Sequence, residues 1–313
     1  MQNATELLEP TTNSLARAAE LLQAGRLVAF ATETVYGLGA DARNGKAVAE
    51  IYAAKGRPSF NPLIIHIADK ARAGDYALWS DAAEILASAF WPGPLTLVLP
   101  LRAEAGLSPL VTAGLDSVAI RVPAKPSAVR LLEAFGGPVA APSANPSGRI
   151  SPTRPEHVLS GLSGRIAAIV DDGACEVGLE STIVGLTGPE PVLLRAGGLP
   201  SEAIEAALGT KLAAPVAGAI SAPGQLASHY APRAAVRLDA RAARGEELML
   251  GFGAVSGDLN LSASGDLVEA AANLFGYLHQ LDALDRPIAV APVPGSGLGR
   301  AINDRLRRAA APR

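Results

Sequence analysis

The 313-residue sequence contains very little of what defines several other classes of protein. Its single cysteine, Cys175, excludes an internal disulfide and any zinc site built from cysteines. No stretch approaches the roughly 18–20 consecutive apolar residues of a membrane-spanning helix. Residues 1–10 have neither the basic start nor the apolar core of a signal peptide. We therefore expect a cytoplasmic protein without a membrane partner.

Positive charge and aromatic side chains are also scarce. The formal net charge is −3, whereas a protein that coats nucleic acid needs a surplus of lysine and arginine. We therefore expect no stable nucleic-acid binding, although this balance does not exclude a local basic pocket. Aromatic residues make up only 4% of the chain, so small aliphatic residues must fill the core. Because 49% of the residues are hydrophobic, that core can be substantial.

Helical and strand patterns alternate along the chain. Residues 13–25 place apolar side chains on one helical face, and the predicted strand 26–30 contains the apolar run 27–30, typical of a buried strand. The alternation continues through residues 1–208 and predicts an α/β domain with a twisted mixed sheet. Residues 209–235 are rich in alanine, proline, glycine and serine and are interpreted as a linker. Residues 236–313 alternate again, which predicts a small second α/β domain.

Polar residues cluster at several predicted strand ends, where open α/β sheets bind ligands. The first cluster is Thr32–Thr34, followed by Gly37 and Gly39. We expect these glycines to let the chain turn away beside a ligand. Two further clusters lie in the proline-rich residues 141–153 and in residues 178–186, where Glu-Ser-Thr enters an apolar strand. Hydroxyl groups and backbone donors at these positions predict a polar binding site.

Four basic residues stand beside these clusters. Lys55 and Arg57 leave a predicted helix on a proline-stiffened turn, which suits an oligophosphate because arginine offers a fork and lysine a point charge. Arg121 and Arg195 lie in apolar strands, where a guanidinium must meet an anion or extend to solvent. Taken singly, each has an ordinary structural explanation. Together they carry more positive charge than a neutral metabolite needs, and so they predict an anionic ligand.

Other candidate motifs are weak. His66 lies in a predicted strand, where a histidine is more often a core residue than a ligand. The loop "GSGLGR" at residues 295–300 lacks the full G-x-G-x-x-G spacing and is interpreted as a tight strand-to-helix turn. The histidines have no metal-ligand spacing, so no protein metal site is predicted. Neither a Walker A loop nor a G-x-S-x-G elbow occurs.

Five motifs occur in an order that resembles the YrdC-like threonylcarbamoyl-AMP synthases: "TETVYGLG", "KGRP…NPL", "APSANPSG", "EST" and "LLRAGG". Lys55, Arg57, Ser143 and Asn145 match that family's K-x-R…S-x-N signature. The similarity covers about residues 15–205. It implies a large YrdC-like catalytic domain over residues 1–208.

The rest of the chain resembles the longer, two-domain branch of that family. The linker motif "SHYAPR" and the C-terminal unit are both similar to that branch, which implies a Rossmann-like C-terminal domain. One departure is Ala31, because the family usually has proline before its Thr-Glu-Thr. This loosens the local backbone but removes no polar group.

The resemblance implies a reaction. The family makes L-threonylcarbamoyladenylate and pyrophosphate from L-threonine, bicarbonate or CO2, and ATP. A separate transferase complex then uses the product to modify an adenosine of tRNA. Magnesium is expected to arrive with ATP.

The resemblance also implies roles for individual positions. The L-threonine site would comprise Thr34, His66, Arg121, the Ala141 backbone and Ser181. The nucleotide site would comprise Lys55, Arg57, Asn61, Ser117, Ser143, Asn145, Ser151, Arg195 and Tyr230. Lys55 and Arg57 would be the catalytic residues, since they would stabilise the triphosphate and the departing pyrophosphate. The linker, with Tyr230, would cover the active site.

Two other functions remain as alternatives. The same fold could serve as an RNA-binding module without chemistry, against which the acidic charge balance counts. It could also serve a carbamoyl-phosphate-dependent carbamoyl-adenylate transferase, as in hydrogenase maturation. Such proteins join this domain to acylphosphatase and zinc-finger units, and this sequence has no cysteine cluster.

Overall fold

A computed structural model describes residues 4–58, 61–215 and 228–312. Residues 216–227, in the middle of the predicted linker 209–235, therefore lie outside the described residues. The two ends of that linker are attached to the large unit, since Ala213 pairs with Val192 and Ala231 pairs with Arg149.

The large unit contains a ten-stranded sheet in the order β1-β8-β2-β3-β7-β4-β6-β5-β9-β10. Its strands are β1 (Glu6–Leu8), β2 (Val28–Phe30), β3 (Gly37–Asp41), β4 (Ile64–His66), β5 (Leu95–Pro100), β6 (Ser117–Arg121), β7 (Val139–Ala140), β8 (Ala168–Val170), β9 (Thr182–Gly185) and β10 (Val192–Arg195). Parallel pairs such as β4–β6 and antiparallel pairs such as β5–β6 both occur. The predicted mixed sheet is therefore confirmed.

Helices surround this sheet. In the described part of the large unit they are α1 (Thr12–Gln23), α2 (Gly45–Lys55), α3 (Asp81–Phe90), α4 (Pro109–Thr112), α5 (Pro126–Phe135), α6 (Pro155–Leu162) and α7 (Ser201–Leu208), with a 3-10 turn at Lys70–Asp75. Local sequence explains their ends. The side chain of Asn44 caps α2 by accepting from two backbone N–H groups, and Gly56 ends α2 with φ 59°.

The small unit contains a four-stranded parallel sheet in the order β11-β14-β12-β13. Its strands are β11 (Val236–Arg237), β12 (Leu248–Gly251), β13 (Leu259–Asn260) and β14 (Ile288–Val290), and its helices are α8 (Leu267–Asp282) and α9 (Leu298–Ala310). A parallel sheet in which α8 crosses from β13 to β14 agrees with the expected Rossmann-like arrangement. Among the described residues, no helix is long and apolar enough to cross a membrane.

The two units share a hydrophobic cluster. Val35, Ile150 and Leu179 of the large unit are buried together with the core of the small unit, including Leu274 and Phe275 on α8. Gly178 comes so close to α8 that a Cβ there would lie 2.4 Å from the Ala271 carbonyl oxygen. The small unit is therefore packed directly against the loop that precedes β9.

The prediction that the chain turns at Gly37 and Gly39 is wrong. Both glycines belong to β3, which pairs antiparallel with β2, and neither has a positive φ. A Cβ at Gly39 would lie 3.0 Å from both Phe30 and Val139. These contacts show that Gly39 permits close packing between neighbouring strands.

Candidate active site

A cavity opens where several strands of the large sheet end. It encloses about 550 Å³ when the space of its open mouth is included. The predicted positions that line it are Thr34, Arg57, His66, Arg121, Ala141, Ser143, Ser181, Arg195 and Tyr230. The structure thus brings together residues spread over almost 200 positions of the chain.

Arg121, near one end of the cavity, is bound to the Thr32–Thr34 turn. Its guanidinium donates to the Thr34 hydroxyl at 2.8 Å and to Glu33 Oε1 at 2.5 Å. A third bond, from Nε, reaches the Gly93 carbonyl oxygen at 3.2 Å. Arginine has five N–H groups, so these three bonds leave two for a ligand.

Thr32 and Glu33, whose roles the sequence left undecided, hold this turn together. The Thr32 hydroxyl donates to the Val35 carbonyl at 2.6 Å and lies 2.8 Å from the Thr34 hydroxyl. The second carboxylate oxygen of Glu33 accepts from the Ala124 N–H at 3.0 Å. Both side chains therefore fix Thr34 and Arg121 in place.

His66 is paired with Arg121 across strands β4 and β6. Burial, together with the charge of Arg121, lowers the pKa of His66 to about 3, so its imidazole is neutral at physiological pH. Its Nδ1 is buried and has no hydrogen-bond partner among the described residues. A neutral, unpartnered imidazole nitrogen can bind a polar group of a ligand.

Arg57 and Arg195 place positive charge in another part of the cavity wall. Arg57 is 9% exposed and donates to the Pro62 carbonyl at 3.1 Å, while its Nε has no partner among the described residues. Arg195 donates twice to the Ser181 carbonyl, at 2.8 and 3.1 Å. Burial lowers the pKa of Arg57 to about 10 and also lowers that of Arg195, yet both stay charged near neutral pH. Buried cations of this kind suit an anionic ligand.

Lys55 lies behind the cavity wall. Its ammonium donates to the carbonyl oxygens of Ser143 and Asn145, both at 2.5 Å. Burial lowers the pKa of Lys55 well below its ordinary value, and the charge of Arg57 lowers it further. In this structure, Lys55 holds the loop that presents Ser143 to the cavity.

Four other predicted nucleotide positions also stand back from the cavity lining: Asn61, Ser117, Asn145 and Ser151. Asn61 and Asn145 each carry a buried side-chain oxygen with no partner among the described residues. Ser117 shares a face of β6 with Ala119 and Arg121, because side chains alternate along a strand. Ser151 is buried and donates to Glu180 at 2.5 Å.

His229 and Tyr230, at the described end of the linker, cover one side of the cavity. Tyr230 is 1% exposed, adopts φ 60° and packs against the Phe275 ring. The Ala231 N–H donates to the Gly148 carbonyl at 2.8 Å, which attaches this segment to the large unit. Burial lowers the pKa of His229 to about 3, so it is neutral. The linker therefore contributes directly to the cavity wall.

Sequence reasoning missed three residues at this site. His229 could have been found because it stands beside Tyr230 in "SHYAPR". Glu180 was noticed in the sequence but given no role, although it lines the cavity. Arg305, which binds Glu180 from the C-terminal unit, had no sequence signal because its partner is 125 positions away.

Two further sequence interpretations concern metal binding and the glycine-rich loop at residues 295–300. Among the described residues, no group of three histidine, cysteine, aspartate or glutamate side chains could hold a metal ion. The loop at residues 295–300 carries Arg300, which lies 3.5 Å from Glu202 of α7. A backbone hydrogen bond from Gly297 helps to lower the pKa of Glu202, so a carboxylate of the large unit occupies the start of α9. The loop thus joins the two units.

These features define an α/β protein that binds a small anionic ligand at the strand ends of a mixed sheet. Comparison with known proteins identifies the family. Residues 20–197 match the Sua5/YciO/YrdC family, which is described as "Telomere recombination". Residues 199–311 match the family described as "Threonylcarbamoyl-AMP synthase, C-terminal domain".

Individual relatives agree over almost the full chain. A threonylcarbamoyl-AMP synthase of Bacillus subtilis is 42% identical over 98% of this chain and 95% of its own. One of Pyrococcus abyssi is 43% identical over 93% of this chain and 92% of its own. The crystal structure of P. abyssi Sua5 complexed with L-threonine aligns with a TM-score of 0.90 at 39% identity, covering 98% of both chains. The chain therefore belongs to the threonylcarbamoyl-AMP synthase family, in its two-domain form.

Proposed function

We propose that this protein makes L-threonylcarbamoyladenylate and pyrophosphate from L-threonine, bicarbonate or CO2, and ATP. One observation carries the proposal beyond family membership. The cavity is lined by three buried arginines: Arg121, which is tied to the Thr34 hydroxyl, and Arg57 and Arg195, which are held by backbone carbonyl oxygens. Three guanidiniums suit an amino-acid carboxylate together with an oligophosphate.

The threonine part is built around Arg121. Its two remaining N–H groups grip the substrate carboxylate as a fork. The Ala141 N–H donates to the Ile64 carbonyl at 2.9 Å, so its own carbonyl is the backbone group left for the substrate amine. Thr34, neutral His66 and Ser181 surround the remaining polar groups. The crystallised P. abyssi relative, which contains L-threonine, supports this assignment.

The nucleotide part is built around Arg57 and Arg195. Their guanidiniums neutralise the phosphates. The Ser143 loop, which Lys55 holds in place, lies along the triphosphate. Arg57 stabilises the charge that develops on the departing pyrophosphate, and Lys55 contributes to catalysis by holding the Ser143 loop in place. Asn61, Ser117, Asn145 and Ser151 shape the walls around the remainder of the nucleotide. The unpartnered oxygens of Asn61 and Asn145 support a ligand in this region.

The chemistry needs alignment more than a protein nucleophile. The neutral amine of threonine adds to CO2, forming an N–C bond and losing a proton to give a carbamate. A carbamate oxygen then attacks the α-phosphorus of ATP, and the bond to pyrophosphate breaks. Such a transfer depends on positioning and charge neutralisation, which the buried arginines supply.

Magnesium accompanies ATP in this proposal. Magnesium keeps several of its waters and is usually bound through substrate phosphates. When bound, the ion supplies further neutralisation of the triphosphate charge. The residues of this chain that act beside it are Arg57 and Arg195.

The linker closes over the product. His229 and Tyr230 exclude water from an adenylate that would otherwise hydrolyse. Release then passes the product to a separate tRNA-modifying transferase complex in the cytoplasm, and the protein needs no stable contact with tRNA. A net charge of −3 agrees with this division of roles.

Pyrophosphate release tests the proposal directly. The purified chain is incubated with ATP, magnesium, L-threonine and bicarbonate, and each component is omitted in turn. We expect pyrophosphate only when all substrates are present. Equal release without L-threonine would contradict the assignment of the amino-acid site.

A further inference from the structure

Arg305 joins the last helix to the cavity wall across the boundary between the two units. It lies on α9 of the C-terminal unit and is 0% exposed. Its Nε donates to Glu180 Oε2 at 3.0 Å, and its Nη2 lies 3.0 Å from the same oxygen. A further bond from Nη1 reaches the Ala196 carbonyl at 2.5 Å, and the guanidinium lies 5.3 Å from the Tyr230 ring centre. The same Nη1 also donates to Asp304 Oδ2 at 3.1 Å on its own helix. The guanidinium thus joins α9 to the active-site region chiefly through Nε and Nη1.

Glu180 carries this contact into the cavity. Its carboxylate lines the cavity, and its other oxygen accepts from the Ser151 hydroxyl at 2.5 Å. A serine hydroxyl has one proton, so Ser151 is oriented by this bond and presents only lone pairs to anything else. Arg305, Glu180 and Ser151 therefore form one continuous chain of hydrogen bonds.

The backbone around this chain leaves little freedom. Gly178 is pressed against α8, with only 2.4 Å between an added Cβ and the Ala271 carbonyl oxygen. Leu179 is buried in the cluster shared by the two units. Ser181, the residue after Glu180, is anchored separately by Arg195, and its hydroxyl lies 2.7 Å from the Thr96 hydroxyl. The Glu180 backbone carbonyl is held by the Gly198 N–H of the large unit at 2.9 Å, whereas one oxygen of its carboxylate is held by Arg305 of the C-terminal unit. Ser181, in contrast, is anchored by side chains of the large unit alone.

We propose that Arg305 is a positioning residue of the active site, through which the C-terminal unit holds Glu180 oriented for nucleotide binding. The inference rests on the proposed function, because Ser151 is assigned there to the nucleotide. It gives the C-terminal unit a role in catalysis. Arg305 acts through Glu180 and Ser151 and touches no substrate itself.

Charges around Glu180 make this role measurable. Burial alone would raise the pKa of Glu180, but the charges of Arg305 and Arg195 and the Ser151 hydrogen bond bring it below its ordinary value. Tyr230 and His229 from the linker also face the carboxylate, and both are uncharged at neutral pH. The charge of Arg305 lowers the pKa of Glu180 more than the charge of Arg195 does. Removing Arg305 must therefore raise the pKa of Glu180.

The test compares R305M with R307M, which alters an exposed arginine on the same helix. Steady-state kinetics with ATP and L-threonine varied separately are recorded from pH 5.5 to 9. In R305M we expect the KM for ATP to rise roughly 10- to 100-fold, as for other groups that orient a ligand-contacting side chain. The KM for L-threonine should change much less, because Ser181 keeps its own anchors. R307M should match the wild type.

The pH profile separates positioning from a general loss of structure. In R305M, kcat/KM for ATP should gain an acid limb, falling as pH drops through the raised pKa of Glu180. The double variant R305M/E180Q should lack this limb, because glutamine does not titrate. R305K should raise the KM for ATP without adding the acid limb. Lysine restores the positive charge beside Glu180 but not the forked hydrogen-bonding geometry of the guanidinium. A folded R305M with a wild-type KM for ATP and a wild-type pH profile overturns the proposal.

Binding measurements keep this result distinct from failure of the proposed function. Calorimetric titration with ATP reports the affinity of each variant even if the wild type releases no pyrophosphate. Equal ATP affinity of wild type and R305M contradicts the role of Arg305, whatever the reaction is. R305M leaves the Glu180 carboxylate buried and unpaired, so circular dichroism must show that this variant folds. If it does not fold, the double variant R305M/E180Q, which lacks that carboxylate, is titrated instead. Wild-type ATP affinity in that double variant also overturns the proposal.

Discussion

Lys55 and Arg57 are two positions apart and both buried, yet their contacts differ. The Lys55 ammonium is bound to two carbonyl oxygens of the Ser143–Asn145 loop. Arg57 lines the cavity and keeps an unpartnered Nε among the described residues. The K-x-R signature therefore combines a residue that shapes a loop with one whose charge faces the ligand.

This difference predicts distinct outcomes for R57A and K55A. R57A should lower turnover by roughly 10²–10³, the size expected for losing one charge-stabilising contact, and should reduce the free energy of unfolding less than K55A does, because its closest bond is to the Pro62 carbonyl alone. K55A should lower turnover similarly and also reduce the free energy of unfolding by about 1–3 kcal/mol, because two buried carbonyls lose their donor. Pyrophosphate kinetics and urea unfolding measure both. Turnover near wild type in R57A would remove Arg57 from the mechanism.

Residue-level prediction succeeded where a local motif carried the information. Thr34, Arg57 and Arg121 were chosen from short motifs, and the structure places all three on one cavity. Glu180 and Arg305 show the limit. A buried charge pair needs two partners, and nothing near either residue in the sequence indicates the other.

At the scale of elements, the β2–β3 pair explains the first motif. Phe30 lies opposite Gly37, and Val28 opposite Gly39, in an antiparallel register. The Thr32–Thr34 turn joins the two strands and is closed by its own hydroxyl bonds. The chain thus returns along the sheet directly after the turn that faces the cavity.

Gly39 is expected to be intolerant of even one added methyl group. In G39A the new Cβ would lie 3.0 Å from Phe30 and Val139 and 3.1 Å from the Val28 carbonyl oxygen. Overpacking of this kind costs about 1–3 kcal/mol, which should appear as a lower urea midpoint. G188A is the matched control, because a Cβ there meets nothing within 4 Å. Equal midpoints for the two variants would refute the packing explanation.

Element prediction failed at the shortest and most glycine-rich strands. The pattern gave no strand at Glu6–Leu8, an exposed edge strand with little alternation. It interpreted Gly37 and Gly39 as a turn because glycine adopts backbone conformations that other residues avoid. Close approach of neighbouring strands reversed that preference, which only the tertiary structure reveals.

For the whole molecule, the histidines connect stability to pH. His157 on α6 stacks on His279 of α8 with ring centres 3.8 Å apart, so this pair joins the two units. Burial lowers the pKa of His66, His157 and His229 to about 3 and also lowers that of His279. The folded protein therefore keeps the imidazoles of His66, His157 and His229 neutral in mild acid.

This predicts a loss of stability in mild acid. Below about pH 6.5 the unfolded chain binds protons on these histidines that the folded chain does not bind. Stability should thus be complete above pH 6.5 and fall progressively as pH decreases toward 3. Urea midpoints measured from pH 7.5 to 5 should decline, and less steeply in H157Q/H279Q. A flat profile in the wild type, or an unchanged slope in the double variant, would contradict this account.

At this scale, the sequence predicted two α/β units and a mixed sheet but not how they meet. Strand order in the large sheet depends on pairings between distant segments, such as β5 with β9. The interface depends on Gly178, Glu202 and Arg305, each explained by a partner in the other unit. Long-range pairing of this kind leaves little trace in local periodicity.

The identity of the product is the most direct test of the central claim. The chain is incubated with ATP, L-threonine and ¹³C-labelled bicarbonate, quenched rapidly and examined by mass spectrometry, with R57A as the control. The account predicts an adenylate that contains both threonine and one labelled carbon, greatly reduced in R57A. Release of AMP or ADP with no labelled threonine conjugate, under conditions that preserve such an adenylate, would contradict it.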